Sequence, residues 1–272
     1  MNQRKTLPLV EAAVMIALAT VMSIVKFVEM PYGGSVTLAS MLPIVIISYR
    51  RGIKVGLGAG LAYATLQLLL GMGMLSYATS WQAAVAIIFL DYILAFVFVG
   101  LGGIFRGGSG ARSQSLRLAL GMVLVCIIRY SLHVIAGATV WAGLSIPTEA
   151  ALIYSLGYNA TYMIPETIVN TAVAAYIGGI IDFSKEAPMP FRKEEAPVGS
   201  ASLYRKIGTG AVVIGFIVAV CEIFKCLQDG ESGEFTFAFI SEVDWLLVGI
   251  VCAVCAALFV ICTIAARRAE RK

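Results

Sequence analysis

Residues 81–105 read WQAAVAIIFLDYILAFVFVGLGGIF, and Asp91 is the only charged residue among them. The run has no period-two alternation, and as a helix it is long enough to cross a hydrocarbon core about 30 Å thick. Similar apolar runs recur on either side, near 7–28, 37–50, 52–73, 115–142, 160–182, 204–227 and 244–266. The second is short for a span, lying between Ser35 and Thr37 on one side and Arg50-Arg51 on the other. In lipid the backbone must satisfy its own hydrogen bonds, which leaves helices or a closed barrel, and long uninterrupted runs favour helices. The expected fold is an all-α integral membrane protein, a six-helix core with two additional transmembrane helices.

Composition agrees. The chain of 272 residues is 60% apolar and 13% charged, with a mean hydropathy of +0.90. Soluble domains carry about twice that share of charge, so a soluble enzyme is excluded. No GxxxxGK[ST] occurs, so the chain has no P-loop for ATP. The net charge of +4 is spread over loops rather than gathered on one face, which argues against nucleic-acid binding.

Seventeen of the twenty Lys and Arg residues fall in the termini or in alternate loops, around 50–54, 106–117 and 185–206. The opposite loops hold Glu29, Glu149 and the acidic stretch from Asp229 to Asp244. The positive-inside rule then puts both termini on the cytoplasmic side of a cell membrane. Glu11 interrupts the first run and no convincing small-residue cleavage site follows, so residues 7–28 read as a retained helix rather than a signal peptide. The segment 184–203, SKEAPMPFRKEEAPVGSASL, has the prolines and mixed charges of a cytoplasmic linker. It divides a six-span core, 1–183, from a two-span appendage, 204–272. The six cysteines lie in or at the ends of apolar runs, and Cys252-x-x-Cys255 has no other ligand near it in sequence. They read as packing residues, so no metal and no cofactor are expected.

Ionisable groups inside spans are costly and mark candidate sites. Asp91, followed by Tyr92, reads either as a carboxylate paired with Arg129 or as a buried anion for a cationic ligand. Arg129, His133, Gly137 and Trp141 are spaced by four and form one gently drifting helical stripe. Trp141 offers a π face, His133 a ring with hydrogen-bonding nitrogens, and Gly137 either room for a ligand or a close helix contact. Tyr154, Tyr158, Asn159 and Tyr162 cluster at the outer mouth, where an interfacial tyrosine belt is the plainer account of Tyr154 and Tyr162. Pro165 allows a helix break, and Glu166 is a candidate partner for Arg129. Gly33-Gly34 beside Tyr32 suits either a lid or an ordinary turn. Ala13 and Ala17 put two small residues on one face of the first helix, suiting close packing within the bundle or against a partner.

The runs MPYGGSVTLASMLPIVIISYRRGIKVG, FLDYILAF and RYSLHVIAGATVW, then Tyr154 with Asn159, resemble the thiamine-specific S components of energy-coupling factor (ECF) transporters. The resemblance covers about residues 7–183. It implies six helices that bind thiamine near the extracellular side with high affinity, in complex with a transmembrane coupling subunit and two cytoplasmic ATPases. It assigns substrate binding to Asp91, Tyr92, His133, Gly137, Trp141, Tyr154 and Asn159, with weaker assignments at Trp81 and Tyr32. It assigns docking on the coupling subunit to Ala13 and Ala17. The two C-terminal spans depart from the pattern.

On this reading Asp91 answers the ligand's permanent cation or its amino group, Trp141 with Tyr92 or Trp81 offers aromatic faces, and Asn159 and His133 bond the pyrimidine edge. No covalent chemistry is expected. One rival is an S component for another vitamin or for the hydroxymethylpyrimidine precursor. Another is an intramembrane enzyme using Glu166, His133 and Asp91, against which stands the lack of a nucleophile motif.

Overall fold

The computed structural model describes residues 3–30, 33–108, 110–143, 148–191, 200–226 and 240–270. These separate into two compact units, residues 1–191 and 192–272.

The first unit begins with α1 (Gln3–Ile24), followed by an antiparallel hairpin of β1 (Lys26–Glu29) and β2 (Ser35–Thr37). The expected first span 7–28 therefore ends four residues early, because its last residues pair as a strand. The expected second span, 37–50, is shorter than expected. Its start belongs to β2, and only α2 (Leu42–Arg51) is helical, about 15 Å long and buried from Leu42 to Tyr49. Such a helix needs no lipid contact, which is how so short an element sits in a bundle.

Next come α3 (Ile53–Leu70), a 3-10 turn (Met72–Tyr77) and the stretch Trp81–Gly103. That stretch is composite: α4 (Trp81–Ala86), a π-helical segment (Ile87–Leu94), α5 (Ala95–Val97) and a 3-10 segment (Phe98–Gly103). Then follow α6 (Ala111–Gly143) and α7 (Thr148–Ile180). Helix α7 starts twelve residues before the expected 160, so Tyr154, Tyr158 and Asn159 are helical rather than in a loop. It also runs through Pro165 without a break; neighbouring helices make such prolines tolerable in spans. After α7, Ile181–Asp182 (β3) pairs with Met189–Pro190 (β4), so the first part of the expected linker folds back onto the unit.

Two local features hold the end opposite the hairpin. Glu11, costly in an apolar helix, is held by two guanidinium forks. Arg50 reaches it at 2.8 and 3.3 Å and Arg51 at 2.5 and 2.7 Å. Arg50 also donates to the carbonyls of Phe183, Lys185 and Glu186, tying α1, α2 and the chain after α7 together. Deeper in, Ser48 Oγ donates to the Gly100 carbonyl at 2.5 Å and accepts from the Gly103 N–H at 3.0 Å. A Cβ on Gly100 would enter the backbone of Gly56, so this crossing requires glycine.

The second unit packs α8 (Ser200–Lys225) against α9 (Trp245–Glu270). Gly208 faces Cys262 and Gly215 faces Cys255, which gives Cys255 a packing role. Among the described residues six helices are long and apolar enough to span a membrane, and α8 contributes a slightly shorter apolar segment, Ile207–Ile223. The chain is a multi-pass helical membrane protein.

Candidate binding site

A cavity of about 590 Å3 opens at the hairpin end of the first unit, between α1, the hairpin, α3, the π-helical segment, α6 and α7. Its volume lies within the range of about 300–1,000 Å3 common for small-molecule sites.

The π-helical segment shapes one wall. In the wider turn, residues four and five apart share a face, and Ile87, Asp91, Tyr92 and Phe96 all line the cavity. Tyr92 is fixed by its hydroxyl, which donates to the Gly71 carbonyl at 3.1 Å, and by stacking on Phe96. A Cβ on Gly71 would overlap that hydroxyl, so the glycine ending α3 makes room for Tyr92.

The facing wall comes from α6 and α7. His133 Nδ1 lies 2.7 Å from Asp91 Oδ1, and its Nε2 lies 3.3 Å from Arg129 Nη2. Arg129 also meets Met41 Sδ at 2.9 Å and lies 4.5 Å above the Phe96 ring. It forms no ion pair with Asp91 or Glu166, which corrects both pairings considered from sequence: the imidazole comes between Arg129 and Asp91. Glu166 is taken instead by Thr37, whose N–H and hydroxyl lie 2.6 and 2.7 Å from its two oxygens. This joins α7 to the end of β2 and fixes the base of the hairpin.

Asn159 is buried and almost fully used. Its Nδ2 donates to the carbonyls of His133 and Ser155, and its Oδ1 accepts from the Tyr162 hydroxyl at 2.5 Å. That oxygen keeps one lone pair. Gly137 lines the cavity, but a Cβ there would meet Ser155 Oγ, so it is also the point where α6 and α7 approach closely. Tyr158 and Tyr162 give the cavity aromatic faces, and Gly34 packs against the Tyr162 ring. At the mouth Lys26 pairs with Glu29.

Asp91, Tyr92, His133, Gly137 and Asn159 thus converge on one cavity. Tyr154 is half-buried behind it, stacked on Tyr158. Trp81 is 73% exposed at the start of α4 and does not line the cavity. Trp141 lies near the end of α6 with its side chain outside what is described, and Tyr32 lies outside the described residues. Sequence reasoning missed Thr37, Tyr63 and Phe96 as lining residues. Phe96 had a signal, lying four residues from Tyr92 on one helical face.

A sequence profile of the thiamine transporter protein family (Thia_YuaJ) matches residues 9–184. The chain belongs to the thiamine transporter protein family. The thiamine transporter ThiT of Bacillus subtilis (strain 168) is 36% identical over 181 residues, 62% of this chain and 89% of that protein. ThiT of Lacticaseibacillus paracasei is 26% identical over 193 residues, 65% of this chain and 90% of that protein. The solved structure of ThiT from Listeria monocytogenes superposes with a TM-score of 0.51 at 24% identity, covering 65% of this chain and 95% of that one. That likeness supports the fold. Membership of a transporter family also removes the intramembrane-enzyme reading.

Proposed function

We propose that the first unit binds thiamine in this cavity and that the chain is the high-affinity S component of an ECF-type importer. A transmembrane coupling subunit and two cytoplasmic ATPases drive it. The observation that carries this reading is the charge layout of the cavity. Asp91 and Glu166 stand against Arg129, a formal sum of one negative charge, while Lys26 and Glu29 cancel at the mouth. A ligand with one permanent positive charge neutralises that sum, as a thiazolium does. Asp91 Oδ1 is taken by His133, and Oδ2, which has no partner among the described residues, faces the ligand. Tyr92, Tyr158 and Tyr162 offer faces to a flat aminopyrimidine, and the free lone pair of Asn159 Oδ1 suits its amino group. The names of the two ThiT relatives support the same substrate.

The basic residues of the termini and alternate loops support an orientation with the hairpin end outside and both termini cytoplasmic. Ala13 and Ala17 are exposed on α1 beside Val10, Val14 and Val21, whereas Ala12 and Ala19 face inward. This free apolar face with small residues at its centre suits docking on a coupling helix. The second unit, absent from the matched region, is an accessory element.

Titration of the detergent-purified full-length protein, followed by the fluorescence of its three tryptophans, tests the reading. Saturable binding of one thiamine is expected, with the free hydroxymethylpyrimidine half binding more weakly. Preference for that half over thiamine would reassign the protein to precursor uptake.

A further inference from the structure

Arg129 is a cation in the wall of a cavity that, on the reading above, receives a cation. It is 8% exposed, and its Nε has no hydrogen-bond partner. It is therefore not there for its own satisfaction, since an unpaired buried donor is costly.

The geometry assigns it a role through its neighbour. A guanidinium only donates, so His133 Nε2, 3.3 Å from Arg129 Nη2, must accept and carries no proton. The ring proton then sits on Nδ1 and is donated to Asp91 Oδ1 at 2.7 Å. A doubly protonated ring would set an N–H of Nε2 against an N–H of Arg129, two donors with no acceptor between them. Reversing the tautomer would also leave Nδ1 and the carboxylate as two acceptors face to face. We propose that Arg129 is a positioning residue that locks His133 in its neutral Nδ1–H tautomer, so that His133 holds the Asp91 carboxylate by Oδ1 with Oδ2 turned to the ligand.

Both nitrogens of His133 are then committed, and the ligand meets the ring only through its face and edge. This differs from the sequence expectation, in which His133 bonds the pyrimidine directly. Guanidinium, imidazole and carboxylate form one polarised chain: the charge on Nε2 strengthens the Nδ1–H donor, as hydrogen bonds in series do in a dry site. The same ring keeps Arg129 off Asp91. A direct ion pair would spend the charge that the ligand needs.

His133 is the only histidine of the chain, so [15N]histidine labelling of the full-length protein reads this site alone. The expected spectrum of the ligand-free protein in detergent has a protonated Nδ1 and an unprotonated Nε2, unchanged when thiamine is added. A proton on Nε2, or on both nitrogens, overturns the proposal whatever any variant does. In Arg129→Met, Nδ1 stays protonated against Asp91 while Nε2, freed from the guanidinium, should take up a proton. The pure Nδ1–H signature should then give way to a doubly protonated ring, with thiamine affinity falling about tenfold. Arg129→Lys, which keeps a cationic donor, should restore the signature. An unchanged signature in Arg129→Met, or a failure of Arg129→Lys to restore it, counts against the proposal. The second half of the proposal rests on thiamine as ligand, but the two readings fail separately. An Nδ1–H ring in a protein that ignores thiamine sinks the substrate and keeps the positioning role. An Nε2–H ring in a protein that binds thiamine does the reverse.

Discussion

The two units of this chain solve the same problem, folding in a membrane, with opposite means. Every buried polar or charged side chain among the described residues lies in the first unit, including Arg129, His133, Asn159 and Glu166. The α8–α9 pair has none: its described buried side chains are Ala219, Val243, Cys262 and Ala266, and its helices meet at Gly208 and Gly215. Small-residue contacts are enough to pack helices in lipid. Buried ionisable groups are not needed for packing and are expensive there, so a unit that keeps several is built around something else. On the function proposed above, the difference marks the unit that would hold the ligand.

The largest effect that tests this division should come from α1, outside the cavity. Ala17→Trp puts an indole on the exposed face of α1, where no described residue of the first unit is displaced. ATP-dependent thiamine uptake should fall to background, while detergent-solubilised protein binds thiamine within about twofold of the parent. Full uptake would remove the docking role from Ala13 and Ala17. Loss of binding in detergent would mean that this face belongs to the site after all.

Within the cavity, charge and stacking can be separated. Asp91→Asn keeps a carbonyl oxygen to accept from His133 Nδ1, so the wall keeps its shape and loses its charge. The loss of a charge-assisted contact in a dry site should weaken thiamine binding about 10- to 150-fold. If Trp141 stacks on the ligand, as the family resemblance implies, Trp141→Leu should cost about 1–2 kcal/mol of binding, roughly 5- to 30-fold. If both variants bind as the parent does, the buried polar residues of the first unit serve folding, and the contrast between the units loses its meaning.

How far the sequence alone carried this picture depended on the period of each signal. Apolar runs of span length are long-range patterns, and they found the helices, though α7 begins twelve residues before the expected start and α2 five residues after it. The four-residue spacing of Arg129, His133 and Gly137 is an α-helical period, and all three line the cavity from α6. What stayed hidden broke the period or depended on long-range contact. Ile87, Asp91, Tyr92 and Phe96 line one wall along a π-helical segment and the turn after it, and no signal in the sequence marks that wider turn. Phe27 and Val28 read as the end of the first apolar run, and only pairing with β2 makes residues 26–29 a strand. Thr37 meets Glu166 across 129 residues of sequence, which no local pattern encodes. Likewise Arg129 looked like a partner for a carboxylate because opposite charges attract, and the ring between them could be seen only in three dimensions.

The smallest effect should come from the second unit. The family match ends at residue 184, and both ThiT relatives are covered over about nine-tenths of their length by the first two-thirds of this chain. The hydrogen bonds that fix Asp91, His133, Asn159 and Glu166 all lie within residues 1–191. A chain ending at Phe191 should therefore bind thiamine within about twofold of the full-length protein. Because truncation can harm folding for unrelated reasons, Gly215→Leu in the full chain gives a second route. Its side chain would collide with Cys255 and push α8 and α9 apart. Overpacking of this kind costs about 1–3 kcal/mol of local stability. The expected result is a less heat-stable second unit with the same thiamine affinity. A tenfold loss of affinity in both variants would show that the second unit shapes the cavity, and the division between a ligand-holding unit and an accessory one would have to be abandoned.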